Sequence, residues 1–202
     1  MAKKTDTRRM GAVVFGVLVA ALALGAGVAI RELVETRTVS VTGTALGDPF
    51  TLVDHDGAEI TQAAFEGRPS LLFFGFTHCP EICPTTVYDM ETWLTEMDVG
   101  VNDVGAYFVT VDPERDTPEF LADYLEPQSD RITGITGEPE AVWNMARSWG
   151  VYWQKRPLGE GDYTVDHYSS IFVLNDSGEV VDLISFGEDP ESAKTKIRRV
   201  LG

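Results

Sequence analysis

Apolar residues in this chain fall into one long unbroken run, several short runs and several stretches with helical spacing. Gly11 to Ile30 is twenty residues, mostly Ala, Val, Leu and Gly, without a charge. As a helix such a segment rises about 30 Å, one hydrocarbon thickness. Pro49 to Val53 alternates as a strand does, Asp54-His55-Asp56-Gly57 is turn chemistry, and Ile60 to Phe65 predicts a short helix broken by Gly67-Arg68-Pro69. Leu71 to Phe76 has the composition of a strand buried on both faces. Thr85 to Met97 then places Val87, Met90, Leu94 and Met97 at three- and four-residue steps, an amphipathic helix whose methionines face the sheet.

Val104 to Val111 predicts a second buried strand. Thr117 and Pro118 read as the N-cap and first residue of a helix through Leu125. Glu138 to Trp149 predicts a further helix, with Pro139 at its start and Gly150 at its stop. Val151-Tyr152-Trp153 reads as a short strand and Ile171 to Leu174 as an apolar one. Asn175 to Gly178 is a hairpin turn, Glu179 to Phe186 the returning strand, and Pro190 to Leu201 a closing helix.

Charge adds a direction to this plan. The chain of 202 residues has a formal net charge of -16, which argues against nucleic-acid binding because that requires a basic footprint. Its N-terminus runs the other way, with Lys3, Lys4, Arg8 and Arg9 ahead of the apolar run and Arg31 and Glu32 cancelling behind it. The positive-inside rule then puts residues 1–10 in the cytoplasm, makes 11–30 an uncleaved transmembrane anchor and 31–46 a tether, and exports a domain over 47–202. The rival is a cleaved signal peptide, for which Ala21-Leu22-Ala23 and Gly25-Ala26-Gly27 offer small-residue sites. Either option exposes thiols to an oxidising compartment.

The two cysteines both lie in the turn after the first buried strand, in Thr77-His78-Cys79-Pro80-Glu81-Ile82-Cys83-Pro84. A helix begun by Cys79 would put both sulfurs on one face, whereas a helix begun at Pro84 would leave them flanking a loop. In both cases they converge at a strand end beside a helix N-terminus that favours thiolate. Three readings stand: a structural disulfide, which closes too short a loop to be an effective staple; a redox dithiol; and a metal site, which needs a further ligand.

The order of elements around this dithiol is thioredoxin-like, an α/β fold with a central mixed sheet flanked by helices. In that plan the chain entering the hairpin strand at Ile171 passes close to the dithiol, and the residue it brings is His167. Two thiolates and an imidazole form a copper-binding set. His55 reads as a solvated turn residue and Asp112 as an acceptor that stabilises its loop.

Four segments make the chain resemble the Sco (SenC) family of copper-binding proteins that assist cytochrome c oxidase assembly. They are Gly75-Phe76-Thr77-His78-Cys79-Pro80-Glu81-Ile82-Cys83-Pro84, Val111-Asp112-Pro113-Glu114-Arg115-Asp116-Thr117-Pro118, Thr133-Gly134-Ile135-Thr136-Gly137 and Val165-Asp166-His167-Tyr168-Ser169-Ser170. The resemblance implies a thioredoxin-like domain on one N-terminal transmembrane helix in the inner (cytoplasmic) membrane, facing the periplasm. It implies copper, as Cu(I) or Cu(II), held by Cys79, Cys83 and His167, a copper donor chaperone upstream and cytochrome c oxidase subunit II as recipient. His78 is not carried over as a ligand, and Tyr168 stands where the family commonly has serine.

The same resemblance leaves a thiol-disulfide oxidoreductase acting through Cys79 and Cys83, or a copper or redox sensor, as alternatives, and says nothing of oligomeric state. Against thioredoxin-type turnover stand the three-residue spacing and the lack of a proline from Leu158 to Asp189.

Overall fold

The computed structural model describes residues 47–202; the expected basic N-terminus, anchor and tether over 1–46 lie outside the described residues. Among the described residues no helix is long and apolar enough to cross a membrane. The described residues form nine strands, four helices and one 3-10 turn, Gln62–Phe65. The strands are β1 (Thr51–Asp54), β2 (Glu59–Thr61), β3 (Ser70–Gly75), β4 (Gly105–Thr110), β5 (Ile132–Thr136), β6 (Trp153–Gly159), β7 (Asp162–His167), β8 (Ile171–Leu174) and β9 (Val180–Ile184). The helices are α1 (Ile82–Glu96), α2 (Pro118–Leu125), α3 (Pro139–Ser148) and α4 (Pro190–Leu201).

Seven strands form one mixed sheet in the order β2-β1-β5-β4-β3-β8-β9. The three central strands, β5, β4 and β3, run parallel, and β1 and β8 add antiparallel on either side. This is the thioredoxin-like α/β architecture. β3 lies in the interior of the sheet between β4 and β8, and its Leu71, Leu72, Phe73 and Phe74 are all fully buried. Burying each such side chain is worth about 1.5–3 kcal/mol, so the strand that ends at the cysteines is a stiff base. α4 lies against β8 and β9 and meets α1, while α2 lies against β5.

Local chemistry accounts for most boundaries. Thr117 accepts from the Phe120 amide and Pro118 opens α2, as its cap signature predicts. Asp189 and Pro190 do the same for α4. Val87, Met90 and Leu94 on α1 are buried in the core, and Met97 packs against it.

Three expectations need correction, and one strand has no counterpart among them. Ile60 to Phe65 is not one short helix: Glu59–Thr61 pairs with β1 as β2, and only Gln62–Phe65 forms a 3-10 turn. β5 was not visible as a strand. Val151-Tyr152-Trp153 is not a strand of its own; Trp153 opens β6, which forms a separate two-stranded sheet with β7. His55 is half-buried rather than solvated, and its Nδ1 accepts from the Gly134 amide at 2.7 Å, tying the β1 turn to β5.

Candidate metal centre

β3 delivers the chain to the C-terminal end of the parallel strands at Gly75, and Thr77 to Glu81 turn it into α1. The helix begins at Ile82, so Cys83 stands in its first turn and Cys79 in the loop ahead of it. Neither expected start holds, and Pro84 is third in the helix, where its missing N–H has no intrahelical carbonyl to lose. Glu81 occupies the N-cap position without a side-chain bond. The sulfur of Cys79 takes over that task, accepting from the Cys83 amide at 3.3 Å.

That placement divides the two thiols electrostatically. A hydrogen bond from the Cys83 thiol, helped by backbone amides, outweighs partial burial and holds Cys79 down at about 4. Burial pushes Cys83 far above the ordinary thiol range, and the neighbouring Cys79 thiolate pushes the same way. At neutral pH the pair therefore carries one thiolate, on Cys79, and one proton, on Cys83.

His167 arrives from the other side of the cleft. It is the last residue of β7, four positions ahead of β8, and Ile171 of β8 pairs with Phe73 of β3. Its Nε2 lies 3.5 Å from the Cys83 sulfur. Its Nδ1 lies 2.9 Å from the Tyr168 carbonyl oxygen, which can only accept. The neutral ring therefore carries its proton on Nδ1 and turns the Nε2 lone pair toward the sulfurs. The edges of Phe73 and Phe76 hold the ring, with centroids at 6.1 and 5.6 Å. Because a backbone carbonyl sets the tautomer, tyrosine in place of serine at 168 leaves this contact intact.

The three donor atoms of Cys79, Cys83 and His167 all lie within 4.8 Å of one another, and no second such cluster of three occurs among the described residues. Bonds from thiolate and imidazole to a first-row ion run about 2.0–2.3 Å, so donors sharing an ion stand at most about 4.6 Å apart. The set fits one ion with little movement. Two sulfurs and one neutral imidazole suit a soft or borderline ion, and carboxylate-loving ions poorly. The group opens into a cleft of about 450 Å³ lined also by Phe76, Ile82 and Val165.

His78 does not join the cluster. Its ring stacks on Phe120 at 5.4 Å, and its Nδ1 lies 3.0 Å from the Thr77 hydroxyl. A residue that sequence reasoning passed over is Asp116. Its buried carboxylate accepts from the Thr77 amide at 3.1 Å, the Thr77 hydroxyl at 2.6 Å and the Thr110 hydroxyl at 2.6 Å, and so fixes the cysteine loop to the end of β4. The available signal was the pair Asp112 and Asp116, four apart, directly after an apolar strand.

Known proteins resemble this chain in sequence and fold. The SCO1/SenC family model matches residues 39–202. Protein SCO2 homolog, mitochondrial, of Bos taurus is 36% identical over 169 residues, covering 82% of this chain and 64% of its own length. Protein SCO1 homolog, mitochondrial, of Homo sapiens is 35% identical over 162 residues, covering 79% and 53%. The chain thus spans between about half and two thirds of these curated relatives. The solved structure of Bradyrhizobium japonicum ScoI with copper bound superposes with a TM-score of 0.72 at 36% identity, over 77% of this chain and 99% of that one. Yeast Sco1 with copper bound gives a TM-score of 0.69 at 31% identity, over 77% and 88%. With a family model matched across the whole described domain and relatives this similar in sequence and fold, the chain belongs to the SCO1/SenC family.

Proposed function

We propose that this protein binds one copper ion through Cys79, Cys83 and His167 and passes it to the dinuclear copper centre of cytochrome c oxidase subunit II, from a domain anchored by residues 11–30 on the periplasmic side of the cytoplasmic membrane. The observation that carries the reading is the convergence of two sulfurs and one imidazole nitrogen within 4.8 Å. The copper-bound relatives of the same fold support the choice of metal, and the oxidase as recipient is what membership of the family implies. As cargo, copper would meet thiolates soft enough for Cu(I) and an imidazole suited to Cu(II). Cys79 offers its thiolate without a proton to lose, so loading should release one proton, from Cys83.

A second reading, thiol-disulfide exchange with the recipient's cysteines, is favoured by the split between the two thiols. The Cys79 thiolate would attack a partner disulfide and expel one partner thiolate. Cys83 would then lose its proton and attack the Cys79 sulfur, releasing the second partner sulfur and leaving this chain oxidised. The experiment mixes reduced, copper-loaded protein with a reduced, copper-free subunit II fragment, and metal-free protein with the oxidised fragment. Copper moving to the fragment in the first mixture supports delivery. Fragment reduction in the second with no copper moving in the first overturns it in favour of the reductase.

A further inference from the structure

The β6–β7 hairpin carries His167 yet pairs with no strand of the seven-stranded sheet. Beyond the short link from His167 to β8, its position is set by side chains. Trp153 stacks on Trp143 of α3 with centroids 6.4 Å apart, Val165 is buried, and Lys155 pairs with Glu114. A further attachment lies four residues before the histidine. The Tyr163 hydroxyl donates to Asp112 at 2.7 Å, the Arg115 side chain donates to the same carboxylate at 2.5 Å, and Arg115 also donates to the Tyr163 carbonyl at 3.0 Å. The guanidinium lies over the Tyr163 ring at 3.8 Å.

Asp112 and Asp116 belong to one tight turn, in which the Arg115 and Asp116 amides both donate to the Asp112 carbonyl, at 3.1 and 3.0 Å. Both carboxylates are fully buried. Asp116 holds the cysteine loop through Thr77, and Asp112 holds the histidine hairpin through Tyr163. A single turn thus grips both halves of a site whose ligands come from distant parts of the chain.

We infer that Asp112, Arg115 and Tyr163 form a clasp that positions His167 relative to the cysteines, an inference that rests on the ligand set proposed above. The clasp touches no ligand directly; it limits how far the hairpin can swing. Loosening it displaces the imidazole, while the two sulfurs stay fixed by α1 and by Asp116. Contacts made directly to a ligand change metal affinity about 10- to 100-fold when removed, and the clasp, one step further out, acts at the low end of that range. The loss falls on Cu(II), which draws on the imidazole, and spares Cu(I), which two sulfurs hold.

The test is a double-mutant cycle on the full chain, with Tyr163→Phe and His167→Ala, singly and together, titrated with Cu(I) and Cu(II). Tyr163→Phe removes one hydroxyl and keeps the ring. It should weaken Cu(II) about tenfold, shift the sulfur-to-Cu(II) absorption, and leave Cu(I) affinity nearly unchanged. In the His167→Ala background it should have no further effect on Cu(II). An equal loss in both backgrounds, or an unchanged spectrum and affinity in the single variant, overturns the clasp while leaving the ligand set standing. Wild-type Cu(II) affinity in His167→Ala alone overturns the ligand set, and the clasp with it.

Discussion

The imidazole Nε2 of His167 lies 3.5 Å from the sulfur of Cys83, though the two residues stand 84 positions apart in the chain. Local sequence cannot hold a contact across so long a loop; the fold must close it. It does so by running β8 antiparallel to β3, which brings the chain just before β8 back to the strand end where the cysteines begin.

The two thiols should differ in reactivity. Cys79, held at about 4, is a thiolate throughout the neutral range, and Cys83 stays protonated because burial pushes it up. Since the thiolate is the nucleophile, iodoacetamide labelling of the metal-free reduced protein should modify Cys79 first. Its rate should hold as pH falls from 8 to about 5 and drop only on approach to the lowered value. Peptide mapping of briefly labelled protein checks this. Faster labelling of Cys83, or a Cys79 rate that falls tenfold per pH unit below 8, contradicts it.

Asp116→Ala should destabilise the domain. The substitution strips the partner from two hydroxyls and one amide in a buried setting, and each buried unsatisfied group costs about 1–3 kcal/mol. Urea unfolding should show a loss of about 3 kcal/mol or more. A loss under about 1 kcal/mol would mean that the cysteine loop is held by other contacts.

The reach and limits of the sequence follow the same physics. β3, β4, α1 and α4 were legible because their apolar spacing is strong, and α2 because Thr117 and Pro118 cap it. β5 was not, since Ile132-Thr133-Gly134-Ile135-Thr136 is short and has a glycine at its middle. That glycine leaves room for its neighbours: an added Cβ would come within 2.9 Å of the Leu125 side chain, 3.2 Å of Leu121 and 3.3 Å of His55. The β6–β7 hairpin was illegible because most of β6 faces water, so its residues carry no inward alternation. Cys79, Cys83 and His167 could be paired from topology and family resemblance. The turn that grips both halves could not, because its partners Thr77 and Tyr163 are distant in sequence.

Gly75→Ala should disturb the base of the site. A Cβ there would stand 2.8 Å from both the Phe108 and Phe73 rings, and these rings are locked in the core. Overpacking of this kind costs about 1–3 kcal/mol. Thermal unfolding should show a lower midpoint than the parent protein, and an unchanged midpoint would show that the end of β3 has slack.

Copper and a disulfide should exclude each other, because the proposed copper site uses the two sulfurs that a disulfide would join. Oxidised protein should bind no copper until reduced, and copper-loaded protein should resist thiol labelling. Full copper binding by protein with no titratable thiols would place the metal elsewhere.

The central claim is tested most directly by copper stoichiometry and the Cu(II) absorption spectrum of the reduced protein, with and without His167. One copper per chain, with a sulfur-to-copper band that His167→Ala displaces and weakens, is the expected result. The same stoichiometry and the same band in both proteins would contradict it.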